Sequence, residues 1–364
     1  MRSKEKKHTT QICIITHSLV DPSTGGERYN WEVVNSLSAR GFNLRILTDS
    51  SMPGFVRGRR FLAYNLWYIY KFSDKDRFIL FTTNYMSPRL LLFCLFSRLF
   101  KKVKVFVLVH HLRYHDYESK VLRFLAFQIE KLFLGFSDVL IAISKSTRSE
   151  LADLRKQEKG IYLVNPGIDL GDFKMDTGKD SDCFNILFVG DCVKRKGLEY
   201  LIRALSLLRQ ENVHLHIAGN LEKDLAYSSR IFSLIKDEGV ENRVTFHGRV
   251  DEKKKIKLLL SSHVFVLPSL WEGYGIAAAE AMRAGLPVVG TKAGAIAELI
   301  ADGLNGILVP PKDATSLARA LEFLMKNPEV RKGFQQQSLL LSRKFNSWKQ
   351  VGETIVKIFE QHIR

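Results

Sequence analysis

Leu267-Pro-Ser-Leu-Trp-Glu-Gly-Tyr-Gly-Ile-Ala-Ala-Ala-Glu-Ala-Met282 is the stretch whose reading decides the fold. A short apolar run, Val264–Leu267, ends in Pro-Ser, and an alanine-rich helical pattern begins near Gly275. Strand, glycine-bearing loop and helix in that order form half of a parallel βαβ unit. Glycines 273 and 275 let backbone approach a ligand closely, and the amides of a first helical turn suit an anion such as a diphosphate. Glu272 is placed at the rim of the loop and Glu280 nearly two turns into the helix, so the two carboxylates can accept hydrogen bonds from different hydroxyls of one extended ligand. Spacing alone suits equally an ordinary helix N-terminus with one capping and one solvated glutamate.

Working outward, short apolar runs alternate with helical patterns through most of the 364 residues. In the first half the candidate strands are Gln11–Thr16, Leu44–Thr48, Phe78–Thr82, Val103–Val109, Val139–Ile143 and Ile161–Val164. Candidate helices lie at Glu27–Ala39, Pro88–Phe100, Lys120–Leu134 and Lys145–Leu154. The pattern restarts with strand Asn185–Val189, a helix over Gly197–Arg209 and strand Val213–Ala218, followed by Val244–Phe246, Val264–Leu267 and Pro287–Val289. The expected fold class is α/β: two Rossmann-like domains with parallel sheets facing a cleft, ligands sitting at the carboxyl ends of the strands. Expected boundaries are 1–164 for the first domain, 165–182 for a Pro/Gly/Asp-rich linker, 183–345 for the second domain and 346–364 for a closing helix.

Several further motifs carry the resemblance. Ala284-Gly-Leu-Pro-Val-Val-Gly-Thr291, Ala293-Gly-Ala-Ile-Ala-Glu-Leu-Ile300 and Asp302-Gly-Leu-Asn-Gly-Ile-Leu-Val-Pro310 follow the glutamate pair. Phe188-Val-Gly190, Lys196-Gly197, Ile217-Ala-Gly219 and Pro166-Gly-Ile-Asp169 precede it. In this order they resemble the retaining nucleotide-sugar glycosyltransferases of family 4, which have the GT-B fold, and the resemblance covers nearly all of 160–315. It implies a donor such as a UDP-sugar or GDP-sugar, no other cofactor, and a catalytic set of Glu272, His110 and Lys196. Glu280 would hold the ribose hydroxyls, Glu272 the hydroxyls of the transferred sugar, and the backbone of Gly273, Tyr274, Gly275 and Ile276 the sugar and diphosphate. Lys196, with Arg195 beside it, would stabilise the diphosphate as charge grows on it. Val250, closing Phe246-His-Gly-Arg-Val250, would lie by the nucleotide base. In the first domain the resemblance is looser: Gly25 and Gly26 open a helix near the diphosphate and acceptor, and His110 stands near the reacting carbon. The Trp348–Ile363 helix resembles the family's C-terminal helix, which crosses back to the first domain.

One position departs from the family. Asp191 follows Gly190 where an arginine is common, so either Lys194 or Arg195 supplies the missing charge or Asp191 faces elsewhere. His110, His111 and His115 form a His-His-x-x-x-His run, but no acidic or cysteine ligand with zinc spacing completes it, and no Asp-x-Asp motif ends a strand, so no metal is expected. Retention would then proceed by attack of the acceptor hydroxyl on the face the diphosphate leaves.

Charge divides unevenly. Of the net +17, residues 1–164 carry 27 basic and 14 acidic side chains, a balance of +13, and the remainder only +4. Residues 53–104 alone hold eleven Lys/Arg and two acids, with an aromatic run from Phe55 to Phe72. Bases beside apolar faces suit an anionic membrane surface. For Leu90–Phe100 a buried helix of the sandwich is the simpler expectation; for 55–72 the membrane is preferred. A nucleic-acid role is disfavoured because no helix-turn-helix, RNA-binding or finger signature appears. The expected partners are therefore a nucleotide-sugar donor, a glycan or lipid-linked acceptor and an anionic membrane, with no nucleic acid.

Four cysteines without C-x-x-C spacing suit a reduced compartment, and Ile12–Ile15 is too short for a signal-peptide core. The expected setting is cytoplasmic, peripheral on the inner membrane face, in envelope or polysaccharide synthesis. The competing readings are a donor-binding relative impaired by Asp191 and a basic nucleic-acid-binding protein.

Overall fold

The computed structural model describes residues 11–16, 24–48, 78–97, 103–170, 183–208 and 212–363. The expected linker beyond residue 170 and the basic aromatic segment 55–72 lie outside the described residues. The chain divides into two compact units, one of Met1–Gly167 with Asn346–Arg364 and one of Ile168–Phe345.

The first unit is built on a six-stranded parallel sheet: β1 Gln11–Thr16, β2 Asn43–Thr48, β3 Phe78–Thr83, β4 Val103–Val109, β5 Val139–Ala142 and β6 Ile161–Leu163. Its helices are α1 Gly25–Ala39, α2 Ser87–Ser97, α3 Lys120–Gly135 and α4 Lys145–Arg155. The strand order β2-β1-β3-β4-β5-β6 places a topological switch between β1 and β3, which pair in parallel from Gln11↔Phe78 to Ile15↔Thr82. β5, β3 as far as Phe81 and β4 from Val105 onward are continuous apolar runs because both sheet faces are covered there. Helix α2 is described as far as Ser97, positions 98–100 of the expected helix lying outside the described residues, and it turns Leu90, Phe93 and Cys94 into the core as a buried layer of the sandwich. Burial pushes the Cys94 thiol up, leaving an inert apolar group.

The second unit repeats the plan with β7 Phe184–Val189, β8 Val213–Ala218, β9 Val244–Gly248, β10 Val264–Leu267, β11 Val288–Thr291 and β12 Gly306–Val309. Its helices are α5 Leu198–Leu207, α6 Leu225–Asp237, α7 Glu252–Ser261, α8 Ile276–Arg283, α9 Ile296–Leu299, α10 Ala314–Lys326 and α11 Pro328–Ser342. The order β9-β8-β7-β10-β11-β12 is the doubly wound 3-2-1-4-5-6 arrangement, with its switch between β7 and β10. Chains leaving those two adjacent strands carry Lys196 and Glu272 respectively.

The last helix, α12 Trp348–Ile363, belongs to the first unit. Its Phe359 ring lies 4.7 Å from Phe106 and 5.6 Å from Phe81, and Trp348 meets Tyr29 of α1 edge-on at 5.5 Å. Aromatic contacts of this kind add about 0.5–1.5 kcal/mol each beyond area burial, which seats α12 firmly on the first sheet.

Candidate active site

In the second unit the site grows from the β7–β10 switch. After β7 the chain turns through Gly190 and a single 3-10 turn, Lys194–Lys196, that stops at Gly197 with φ +65°. A side chain on Gly197 would collide with the Pro268 carbonyl, so glycine is required both for the turn and for the approach of the second loop. That loop is tied to the first in both directions. Leu270 donates its N–H to the Arg195 carbonyl at 2.7 Å, and Arg195 Nη1 donates to the Trp271 carbonyl at 2.8 Å.

Glu272 is buried where the loops meet. Its Oε2 lies 2.6 Å from Lys196 Nζ and 3.8 Å from Arg195 Nη1, and it accepts from Ser269 Oγ at 3.2 Å. Its carbonyl accepts the Ala295 N–H at 2.9 Å, which fixes the backbone from the α9 side. Gly275, at φ +95°, is the left-handed N-cap of α8 and aims the first-turn amides out of the helix. The helix proper starts at Ile276, so Glu280 sits little more than one turn in, not nearly two as the spacing suggested. Glu280 is buried as well, and neither carboxylate is the solvated group of the bland alternative. It is held by Lys255 of α7, whose Nζ lies 2.8 Å from Glu280 Oε1 and 3.2 Å from Glu252 Oε2. Gly273 and Tyr274 are buried between the two glutamates, with the Tyr274 hydroxyl pushed up to about 12 by burial and then by Glu298; Ile276 is half-buried. Val250 is half-buried two residues past β9. Asp191 uses its carbonyl to accept the Val193 N–H at 2.9 Å; of the two bases suggested as its substitute, Arg195 stands in the Glu272 cluster.

The first unit assembles a different set. Thr24 caps α1 in a reciprocal capping box: its Oγ1 accepts from the Glu27 N–H at 3.2 Å and its own N–H donates to Glu27 Oε2 at 3.0 Å. Gly25 opens the helix, and Gly26 faces His110, whose ring atoms would lie 3.5 Å from any added Cβ. His110 is buried at the end of β4, with Nε2 3.2 Å from Asn30 Oδ1, an arrangement that suits the tautomer protonated at Nε2. Burial, and secondarily His111, lower its pKa to about 3, so the ring is neutral near pH 7.

Asn84 ties the region together. Its amide donates to the His111 carbonyl at 2.7 Å and to Glu130 Oε1 at 3.0 Å, and its Oδ1 accepts the His110 N–H at 3.3 Å. Glu130 is buried with its pKa raised by desolvation against several opposing hydrogen bonds, one from the Tyr114 N–H at 3.2 Å. The three histidines of the His-His-x-x-x-His run point to separate partners. His111 lies 3.1 Å from the Tyr85 hydroxyl and 3.0 Å from Asp116, and His115 lies 3.1 Å from Glu150.

The structure thus brings Arg195, Lys196, Glu272, Gly273, Tyr274, Gly275 and Glu280 into one neighbourhood of the second unit, and Gly26 and His110 into one of the first. Lys255, Ser269, Asn30, Asn84 and Glu130 were not anticipated. Lys255 sits in the run Glu252-Lys-Lys-Lys-Ile-Lys257, which reads as a solvated basic face.

Comparison with known proteins agrees with this division. Residues 172–339 match the family described as Glycosyl transferases group 1, and residues 23–172 match Glycosyltransferase Family 4. Together the two matches span residues 23–339 of the chain. An uncharacterized glycosyltransferase of Methanocaldococcus jannaschii is 32% identical over 240 residues, 61% of this chain and 59% of that protein. The aligned part therefore spans about three-fifths of that relative's length. Among solved structures, sucrose-phosphate synthase from Thermosynechococcus elongatus superposes with a TM-score of 0.77 at 21% identity, covering 97% of this chain and 98% of that one. Anabaena HepE, solved in complex with UDP-glucose, gives 0.76 at 17% identity, covering 96% and 99%. These likenesses establish the GT-B fold. The two matched regions fall one on each of the two sheets described above.

Proposed function

We propose that this protein is a retaining glycosyltransferase that moves a sugar from a nucleotide-sugar donor to a hydroxyl of a glycan or lipid-linked acceptor. The observation that carries the reading is the pair of lysine-held carboxylates at the switch of the second sheet, Glu272 on Lys196 and Glu280 on Lys255. A largely buried ion pair of this kind is costly to form, and its retention at a ligand-binding position argues for use. HepE, with the same fold, is solved with UDP-glucose, which supports a uridine nucleotide as the first donor to test.

In the proposed reaction Glu280 accepts hydrogen bonds from the ribose and Glu272 from the sugar, each oriented by its lysine. Lys196 and Arg195 then meet the charge that develops on the leaving diphosphate as the C–O bond breaks. This assignment invokes no divalent ion, because two cations of the chain are already at that position. The acceptor hydroxyl attacks the face the diphosphate vacates and its proton passes to the departing phosphate oxygen, which gives retention without a protein nucleophile. His110, neutral and fixed by Asn30, is assigned a hydrogen-bonding role toward the sugar. The proposed setting is the inner face of a membrane, in envelope or polysaccharide synthesis; no helix among the described residues is long and apolar enough to cross a bilayer.

Incubating the full chain with a panel of nucleotide sugars and following slow donor hydrolysis by mass tests the reading. One donor consumed, with the anomeric configuration of the released sugar retained, is the expected result. No hydrolysis and no binding of any donor would refute it.

A further inference from the structure

Helix α3, Lys-Val-Leu-Arg-Phe-Leu-Ala-Phe-Gln-Ile-Glu-Lys-Leu-Phe-Leu-Gly from 120 to 135, is apolar on two opposite faces. One face is inward: Glu130, Phe133 and Leu134 are buried, and Phe127 meets Tyr114 edge-on at 5.5 Å. The other is outward, and it is not polar. Val121 is 67% exposed, Leu122 51%, Phe124 61%, Leu125 50% and Leu132 51%. At about 100° per residue, Val121, Leu125 and Leu132 fall within about 40° of one another, with Phe124 and Leu122 on either flank. A helix that is apolar all round belongs in a core or against lipid, and contiguous exposed apolar patches on soluble domains mark interaction sites. Helix α2, which packs on α3, adds Leu95, 42% exposed.

Charge says what covers the face. The exposed charged side chains of α3 are Lys120, Arg123 and Lys131, all basic, while its single acid, Glu130, is buried under Asn84 and the Tyr114 amide. Lys120 and Lys131 lie about 20° apart on the wheel, alongside Phe124. The acidic Glu118 is exposed and precedes the helix by two residues. Phe and Leu on one face with lysines at its edge is the composition of a helix lying in a bilayer interface, apolar side chains among the acyl chains and cations at anionic headgroups. A protein-binding groove would have no need for the acids to be absent.

We infer that α3 is the element by which this protein inserts into an anionic lipid surface, with Val121, Phe124, Leu125 and Leu132 entering the bilayer and Lys120 and Lys131 at its headgroups. The inference sharpens the acceptor side of the proposed function, since a membrane-seated first unit suits a lipid-linked acceptor. It places a membrane contact on a helix outside the segment at 55–72, which itself lies outside the described residues.

Flotation of the full chain with phosphatidylcholine vesicles, with and without one-third phosphatidylglycerol, tests it against the double substitution Phe124→Glu/Leu125→Glu. The unsubstituted chain floats with the anionic vesicles, and the double variant partitions at least about tenfold less while its Tm moves by no more than about 2 °C, as for exposed sites. Lys120→Ala/Lys131→Ala floats less at low salt and shows the smaller defect of the two. Undiminished flotation of the glutamate variant overturns the inference. So does a Tm loss of about 5 °C or more, which would show the face covered by the chain's own residues, or a dimer that the glutamates disperse in a chain that never floats. Flotation reads no turnover, so its failure leaves the glycosyl-transfer reading intact, and an inactive protein that floats leaves this one intact.

Discussion

The two units share a plan and differ in the currency of their sites. Each has a six-stranded parallel sheet with a switch beside its first strand. The second unit, nearly neutral by composition, fills its switch with ion pairs, Lys196–Glu272 and Lys255–Glu280. The first unit carries most of the chain's basic excess, yet anchors His110 and the Glu130 carboxyl through side-chain amides, His110 on Asn30 and Glu130 on Asn84. Ion pairs can exchange: an incoming diphosphate competes with a carboxylate for an ammonium, and the carboxylate turns to hydroxyls. A network built around the Asn84 and Asn30 amides serves to hold its members still. Bulk charge and site charge are therefore separate matters, one for the surface on which a protein works and one for the ligand it binds.

Substitutions can break that contrast. The largest effect is expected from Lys196→Ala, which removes the cation that meets the leaving group: kcat falls about 10²–10³-fold in steady-state assays with the preferred donor. If Lys196 were only a structural partner of Glu272, stability would drop and the kcat of the folded fraction would not. Next is Asn84→Leu, which strips Glu130 of its amide donor and the His110 N–H of its acceptor. Leaving such groups buried and unsatisfied costs about 1–3 kcal/mol, read as an earlier urea transition of the first unit with the second unmoved. Lys255→Ala acts on ground-state binding. The donor KM rises about tenfold with kcat within twofold, because Glu280 loses its orienting partner but touches no reacting atom.

The smallest effect near neutrality is that of protons. His110 in the first unit and His216 in the second are held down to about 3 and about 4, chiefly by burial, from an ordinary 6.5. Between those values the unfolded chain binds protons that the folded chain refuses. Stability is therefore fully present above pH 6.5 and declines as pH falls toward 4. Thermal unfolding at pH 7.5, 6 and 5 should show a falling Tm, with a shallower slope in His110→Asn. A kcat inflection near pH 6.5 that disappears in His110→Asn would contradict the neutral role given to this ring.

Much of the fold was legible because buried parallel strands are continuous apolar runs. Gln11–Thr16, Val103–Val109, Val213–Ala218 and Val264–Leu267 have the bounds read from sequence, and α12 spans Trp348–Ile363 as expected. Helices α6, α7, α10 and α11 and strand β12 were not singled out; α7 in particular is hidden by its lysines. Within the site, Glu272, Gly275 and Lys196 were legible because each sits at a strand-to-helix turn of recognisable composition. Their partners were not. Lys255 reaches Glu280 from a separate helix, and Asn84 reaches Glu130 across 46 positions of chain, pairings that exist only once the sheets have formed. The exposed face of α3 was missed for a related reason: its apolar periodicity is that of a core helix, and only the fold shows which side is left uncovered.

The most direct test of the central claim is calorimetric titration of a nucleoside diphosphate, UDP first, into the unsubstituted chain and into Lys196→Ala and Glu280→Gln. The ion-pair account predicts saturable binding to the unsubstituted chain, weakened at least about tenfold in each variant, with the salt dependence reduced only when Lys196 is removed. Equal affinity in all three proteins, or no binding of any nucleoside diphosphate to the folded chain, would contradict it.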